Sequence, residues 1–148
     1  MFDFRSKTYI RFSAGNDPIS WAIQARTGCR WSHCDVLMPD GLLGSLPGGG
    51  VKVRSRIRGE VRSAIYEVPV QDGYFYAREQ IGKPYDWCAV AGLGFWFPRD
   101  WQDEHKWFCA ELVAASLMVA GCPLTSSNAW GITPRDLLLS PQLKAIEL

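Results

Sequence analysis

The sequence has no long uninterrupted hydrophobic run. Nowhere in its 148 residues is there a stretch of the roughly eighteen apolar positions that a membrane-spanning helix needs. Residues 1–7 alternate apolar with polar or charged side chains, so they lack the apolar core of a secretory signal. We therefore expect a protein without an integral membrane segment, located in the cytoplasm.

A charge of one sign is also missing. The chain has 16 Lys and Arg against 15 Asp and Glu, a net charge of +1, which argues against nucleic acid as a partner and against an acidic tail. There is no internal repeat, low-complexity tract or linker. With 47% hydrophobic residues, the composition predicts one compact domain over residues 1–148. It leaves the oligomeric state open.

The cysteines lack CxxC spacing. The chain has five of them, an odd number, which in a protein without a secretory signal favours reduced thiols over a disulfide framework. Most are expected to be small core residues. Cys29, His33 and Cys34 are the one grouping that suggests zinc, but their spacing fits no common structural zinc pattern. We expect no metal and no cofactor.

Apolar patterning and turn residues predict an α+β fold with a mainly antiparallel sheet. The predicted strands are Thr8–Phe12, Trp31–Met38, Leu42–Leu46, Val51–Arg58, Ala64–Val70 and Leu143–Leu148. The predicted helices run from Asp17 and Pro18 to Gly28, from Asp72 to Gly82, briefly after Asp86, from Cys109 to Ala120 and from Thr133 and Pro134 onward. The helix after Cys109 is apolar on almost every face, so it should be buried against the sheet.

Cys109 is the best candidate for a nucleophile. At the first turn of a buried helix, unpaired backbone N–H groups and the positive end of the helix dipole stabilise a thiolate. A base is then needed, and the sequence has only two histidines, His33 and His105. His33, at the start of a strand, is the better placed. His105, in a polar and aromatic segment, is expected at the surface and is the reserve candidate.

Two short motifs carry a family resemblance. The runs GKPYDW at 82–87 and WFCAELV at 107–113 resemble motifs of the NlpC-type cell-wall peptidases of the papain-like clan. Because His33, in WSHCDV, precedes Cys109, the order resembles that of the circularly permuted branch, which includes relatives of lecithin retinol acyltransferase. The resemblance implies a papain-like fold with Cys109 as nucleophile, His33 as general base and Tyr85 as an oxyanion-binding residue.

The residue that would complete a catalytic triad with Cys109 and His33 differs from the pattern of that family. Its members usually place His, Asn, Gln or Glu on the strand after the histidine, whereas here that strand offers only Ser45 opposite His33. Asp35 shares a strand face with His33 by the period-two rule and is slightly favoured as the residue that orients the imidazole. A Cys–His dyad without a third residue stays open.

Three further features have ordinary structural explanations. Glu111 is expected to complement the N-terminus of its helix. Lys52, Arg54, Arg56 and Arg58 alternate with Val51, Val53, Ser55 and Ile57, and would place four charges on one strand face, to hold an anion or to protect a sheet edge. The aromatic run 92–107 is expected to form either core or one wall of a substrate cleft.

Together these features predict a cysteine hydrolase or acyltransferase acting through a Cys109 thioester on a small peptide, amide or lipid-like substrate. The sequence does not decide between amidase or peptidase activity and lipid acyl transfer. The alternative is a catalytically weak papain-fold module that binds an anionic or lipidic ligand.

Overall fold

The computed structural model describes residues 1–57, 59–95, 105–126 and 131–146. Its centre is a six-stranded sheet, antiparallel throughout, in the order β4-β3-β2-β1-β5-β6. The strands are β1 Thr8–Gly15, β2 His33–Met38, β3 Gly41–Leu46, β4 Gly50–Arg54, β5 Glu60–Val68 and β6 Lys144–Ile146. The predicted α+β class and antiparallel sheet are confirmed.

Five helices accompany the sheet in the described part of the chain. They are α1 Pro18–Thr27, α2 Phe75–Glu79, α3 Trp87–Phe95, α4 Cys109–Val119 and α5 Pro134–Leu138. The bounds of α1 follow from its caps, as predicted: the Asp17 carboxylate accepts from the Ser20 N–H, and Gly28 ends the helix in the left-handed conformation with φ of 64°.

The β2–β3 hairpin places the start of β2 beside the end of β3. Val36 pairs with Leu43 and Met38 with Gly41, which is the register expected for a turn at Asp40. Gly41 has φ of 141°, and a Cβ there would lie 2.6 Å from the Arg54 carbonyl oxygen. Glycine is therefore required where β3 leaves the turn and passes β4.

Helix α4 packs on the sheet against β2 and β3. Leu112, Val113 and Leu117 have no exposed surface, whereas Met118 and Val119 in the last turn are exposed. Each fully buried Leu or Val side chain stabilises the fold by about 1.5–3 kcal/mol. The first two turns of α4 are thus fixed between other elements, as the sequence predicted for this helix.

Three predicted elements differ from the structure. Asp72 does not cap α2, which begins at Phe75; the residue has φ of 59°, and its backbone carbonyl accepts the Phe75 N–H in a turn. The strand predicted for 51–58 ends at Arg54, while β5 begins four residues before the predicted Ala64. Positions 58, 147 and 148 lie outside the described residues.

In the described ranges, none of the helices combines the length and the apolar character that crossing a bilayer requires. The longest of them, α4, has 11 residues, about half of the roughly 20 that span the hydrocarbon core.

Candidate active site

Cys109 is the first residue of α4. Phe108 precedes it in an extended conformation, with φ of −83° and ψ of 150°, and no side chain caps the helix from that position. Cys109 is 1% exposed. Its sulfur therefore lies inside the protein at the positive end of a helix dipole, where the unpaired backbone N–H groups of the first turn favour a negative charge.

The sulfur of Cys109 is in contact with the beginning of β2. The His33 imidazole and both the side chain and the backbone N–H of Cys34 lie close enough to this sulfur to lower its pKa. His33 is the first residue of β2 and is buried. The packing of α4 on β2 thus brings the two predicted catalytic residues together.

The two groups shift each other's pKa in opposite directions. Burial by itself raises the pKa of Cys109, but the hydrogen bond from Cys34 and the positive charge of His33 outweigh it and lower the pKa to about 5. Burial would lower the pKa of His33, yet the negative charges of Asp35 and Cys109 raise it to about 10. At neutral pH the pair is therefore a thiolate and an imidazolium.

Asp35 lies beside the imidazole, on the same face of β2. Its Oδ1 is 2.9 Å from Nε2 of His33, and the carboxylate is almost completely buried. The N–H of the ring does not point along this line, so the contact is an ion pair and not a well-aligned hydrogen bond. Of the two candidates for orienting His33, Asp35 is the one in contact with the ring.

Gly44 on β3 makes room for this carboxylate. A Cβ at Gly44 would lie 1.8 Å from Oδ1 of Asp35, closer than any non-bonded contact. The Arg54 guanidinium donates to the Gly44 carbonyl at 2.8 Å, and its charge interacts with Asp35. A buried carboxylate needs a positive neighbour, and Asp35 has the imidazolium on one side and Arg54 on the other.

Ser45 has a different role from the one considered for it. Its hydroxyl donates to the backbone carbonyl of Trp107 at 2.7 Å, so its proton is not available to the His33 ring. Trp107 is also held through its indole N–H, which donates to Oε1 of Gln80 at 3.2 Å. These two bonds fix the backbone two residues before Cys109.

Tyr85 lies next to the start of α4. Its segment forms a parallel bridge with Trp107, and its ring contacts that of Phe108 at 6.2 Å between centroids. Burial first, and then the negative charge of Cys109, raise the pKa of Tyr85 far above its usual value. The hydroxyl keeps its proton and can donate a hydrogen bond; its role as an oxyanion donor stays a prediction.

Glu111 complements the start of α4 and also joins it to a distant segment. One carboxylate oxygen accepts from the Phe108 N–H at 3.4 Å, and the other from the Gly131 N–H at 2.8 Å. Burial raises the pKa of Glu111 to about 7, against the effect of these two hydrogen bonds. The link to Gly131 was not predicted, because it joins positions 20 residues apart.

Cys34 is the member of the site that the sequence did not reveal. Alternation along a strand places neighbouring residues on opposite faces, so Cys34 and His33 are expected on opposite faces of β2. At the first two residues of β2, both side chains nevertheless reach Cys109. The sequence carries no spacing signal for this contact, since it depends on where α4 is placed.

The row of four basic residues is not formed. β4 is the edge strand of the sheet and ends at Arg54, so Lys52 and Arg54 are in the strand and Arg56 is beyond it. Arg54 folds back and donates to the carbonyls of Gly44 and Gly50. Arg58 lies outside the described residues, as does most of the aromatic run 92–107; His105 is exposed.

Cys29, His33 and Cys34, whose spacing fits no common zinc pattern, are not grouped as a metal site in the described residues. Within residues 1–57, 59–95, 105–126 and 131–146, no three His, Cys, Asp or Glu side chains are grouped so as to hold a metal ion. His33 and Cys34 instead face Cys109, and all five cysteines are free thiols.

Comparison with known proteins gives a likeness in fold. No family model and no curated protein matches the chain. Among solved structures, the chain is similar to the metalloprotein yiiX from Escherichia coli O157:H7, of DUF1105, with a TM-score of 0.68 and 18% sequence identity over 98% of each chain. At this identity the likeness shows a shared fold alone.

Proposed function

We propose that this protein is a cysteine-dependent hydrolase or acyltransferase of the circularly permuted NlpC-like, papain-fold type. The observation that carries the proposal is the pair of Cys109 and His33: a buried thiol at a helix start, whose pKa is lowered, next to an imidazole, whose pKa is raised. Such a pair is the resting state of a papain-like nucleophile. The motif resemblance and the order of the two residues along the chain support it independently.

In the first step, the Cys109 thiolate attacks the carbonyl carbon of an amide, ester or thioester, and the carbonyl oxygen takes on negative charge. The backbone N–H of Cys109 and the hydroxyl of Tyr85 stabilise that oxygen. His33 is already protonated, so it gives its proton to the leaving amine or alcohol as the acyl-thioester forms.

In the second step, the neutral His33 takes a proton from water or from another acceptor, which attacks the thioester and releases Cys109. Asp35 stabilises the imidazolium in both steps and holds the ring toward the sulfur. Its buried position and the single 2.9 Å approach suit this supporting role, whereas Ser45 fixes the Trp107 backbone.

The test is direct detection of the acyl-enzyme. We expect p-nitrophenyl acetate to add one acetyl group to the tryptic peptide 107–135, which contains Cys109, and the adduct to disappear as hydrolysis proceeds. Cys109→Ala should abolish both the adduct and the release of nitrophenolate beyond the buffer rate. Cys122→Ser removes the other thiol of that peptide and should leave both unchanged.

The matched control is Cys88→Ser, which removes an exposed thiol at the start of another helix and should not alter turnover. If Cys109→Ala reacts as the unmodified protein does, or if the acetyl group resides on peptide 79–99 with Cys88, the hydrolase proposal is wrong. The binding module for an anionic or lipidic ligand then becomes the better hypothesis.

A further inference from the structure

The nucleophile has a second thiol against it. Cys34 on β2 has no exposed surface, and its side chain lies close enough to the sulfur of Cys109 for each to shift the pKa of the other. Both side chains belong to the same buried layer between the sheet and α4. The hydrolase mechanism uses Cys109, His33, Asp35 and Tyr85, and it gives Cys34 no chemical step.

We propose that Cys34 and Cys109 are a peroxide-sensitive thiol pair that closes to a reversible disulfide and so switches the nucleophile off. The structural basis is the burial of both side chains in one layer where α4 packs on β2, next to the imidazole of His33. The inference concerns thiol oxidation and holds whether or not the protein hydrolyses an acyl substrate.

The first step consumes one molecule of hydroperoxide. The Cys109 thiolate attacks one peroxide oxygen, a sulfur–oxygen bond forms, and the oxygen–oxygen bond breaks. The leaving hydroxide takes a proton from His33 and departs as water. Cys109 is oxidised to the sulfenic acid, and the peroxide is reduced by the same two electrons.

The second step uses the neighbouring thiol. The sulfur of Cys34 attacks the sulfur of the Cys109 sulfenic acid, the sulfur–oxygen bond breaks, and the oxygen leaves as water with the proton of Cys34. The pKa of Cys34 is raised by burial and by the Cys109 charge, so Cys34 is a thiol and Cys109 the thiolate. The order of the two steps follows, since the thiolate reacts with peroxide first.

The disulfide would join two side chains, those of Cys34 and Cys109, that the fold already places near each other. Cys34 is fixed by β2, and Cys109 by the start of α4, which packs on that strand. Cys29, Cys88 and Cys122 are partly or fully exposed and do not take part in the mechanism. Of the five thiols, Cys34 and Cys109 are thus the two that are buried.

The experiment is oxidation of the whole protein with an equimolar amount of hydrogen peroxide, blocking of the remaining thiols with N-ethylmaleimide, and mass spectrometry. We expect an intact mass lower by two hydrogens, three blocked thiols instead of five, and a cross-link between the tryptic peptides 31–52 and 107–135. Dithiothreitol should restore all five thiols. Repeating this in Cys122→Ser assigns the cross-link to Cys109, because peptide 107–135 contains both cysteines.

With hydrogen peroxide in excess, the variant Cys34→Ala should give the sulfinic and sulfonic acids of Cys109, which take up a second and a third molecule of peroxide and which dithiothreitol does not reverse. The readout is the product and not the rate, because loss of the Cys34 hydrogen bond also changes the pKa of Cys109. The proposal is wrong if the unmodified protein forms no cross-link, or if the cross-link still forms in a Cys109→Ala variant. Neither outcome requires that the Cys34→Ala variant fold. Neither result bears on whether Cys109 forms an acyl-enzyme.

Discussion

Helices α3 and α4 both begin with a cysteine in the first turn and with a carboxylate beside it, yet only one of these starts is arranged for nucleophilic chemistry. At α3, Cys88 is exposed, and its N–H donates to the Asp86 carboxylate at 2.9 Å. At α4, Cys109 is buried against His33 and Cys34. A helix dipole is common to the two starts, so it does not by itself make a nucleophile.

The difference lies in what occupies the helix start. A carboxylate accepts the first N–H groups of α3, so a thiolate there would meet a like charge. At α4, Glu111 turns back to the Phe108 N–H while the imidazolium stands beside the sulfur. The comparison shows that the neighbouring strand, more than the helix, determines the state of the thiol.

The largest expected effect tests that conclusion at Cys109. In His33→Ala, the pKa of Cys109 should return from about 5 toward its ordinary value of 9.0, so alkylation by iodoacetamide at about pH 6 should slow about a hundredfold or more. Mass mapping of peptides 107–135 and 79–99 reports Cys109 and Cys88 in the same sample. Cys88 should label slowly in both proteins; equal labelling of the two cysteines in the unmodified protein would contradict the comparison.

A second prediction concerns the carboxylate at the start of α4. The pKa of Glu111 is raised from 4.5 to about 7 in the folded protein, so the folded state holds the proton more tightly than the unfolded chain. The resulting stabilisation is complete below pH 4.5 and is lost as the pH rises through 7, in total about 3 kcal/mol. In Glu111→Gln this dependence disappears.

Urea unfolding at about pH 4 and pH 8 measures the contribution of Glu111 to the pH dependence of stability. The free energy of unfolding of Glu111→Gln, relative to that of the unmodified protein, should be larger at pH 8 than at pH 4 by an amount of that order. Glu79→Gln, at an exposed glutamate of α2, is the matched control. A relative stability that is the same at both pH values would show that Glu111 does not hold its proton in the fold.

A third prediction separates the two candidates for orienting His33. Asp35→Asn removes a charge that raises the pKa of His33, so the imidazole should titrate well below pH 10 by NMR, and turnover should fall about tenfold or more. Ser45→Ala should leave the imidazole titration unchanged, because that hydroxyl donates to Trp107. The opposite pattern would assign the orienting role to Ser45.

The smallest expected effect belongs to α3. The Asp86 carboxylate accepts from the N–H groups of Cys88 and Ala89 at 2.9 and 3.1 Å, so Asp86→Ala should lower the free energy of unfolding by about 1 kcal/mol. Asp86→Asn keeps an oxygen acceptor and should recover most of it in urea unfolding. If labelling of Cys109 at about pH 6 changes as much as in His33→Ala, the two helix starts are not independent.

Local signals in the sequence were sufficient to predict most of the helices and strands. Asp17 with Pro18 marks the start of α1, Gly28 its end, and the turn at Asp40 sets the register of β2 with β3, because caps and turns depend on a few neighbouring residues. The position of Cys109 at the start of α4 followed in the same way. Asp72 misled the prediction, because an aspartate suits a turn as well as a helix cap.

Contacts between distant segments were not predictable. The hydrogen bond from Ser45 to Trp107 joins positions 62 residues apart, and the contact between Cys34 and Cys109 depends on the placement of α4 on β2. Periodicity along one element describes which face a residue occupies, but not which other element covers that face. The pairing of His33 with Cys109 was proposed from the helix-start position of the cysteine and the choice between two histidines, and the motif resemblance strengthened it.

His33 lies on the second strand and Cys109 lies 76 residues later, after the whole β2–β5 part of the sheet has been made. During synthesis, a ribosome-bound chain thus contains His33 and Asp35 long before it contains Cys109. Formation of the ion pair must follow the docking of α4, a late, long-range event in folding. Reactivity toward iodoacetamide at acidic pH would therefore report completion of the fold in a refolding experiment.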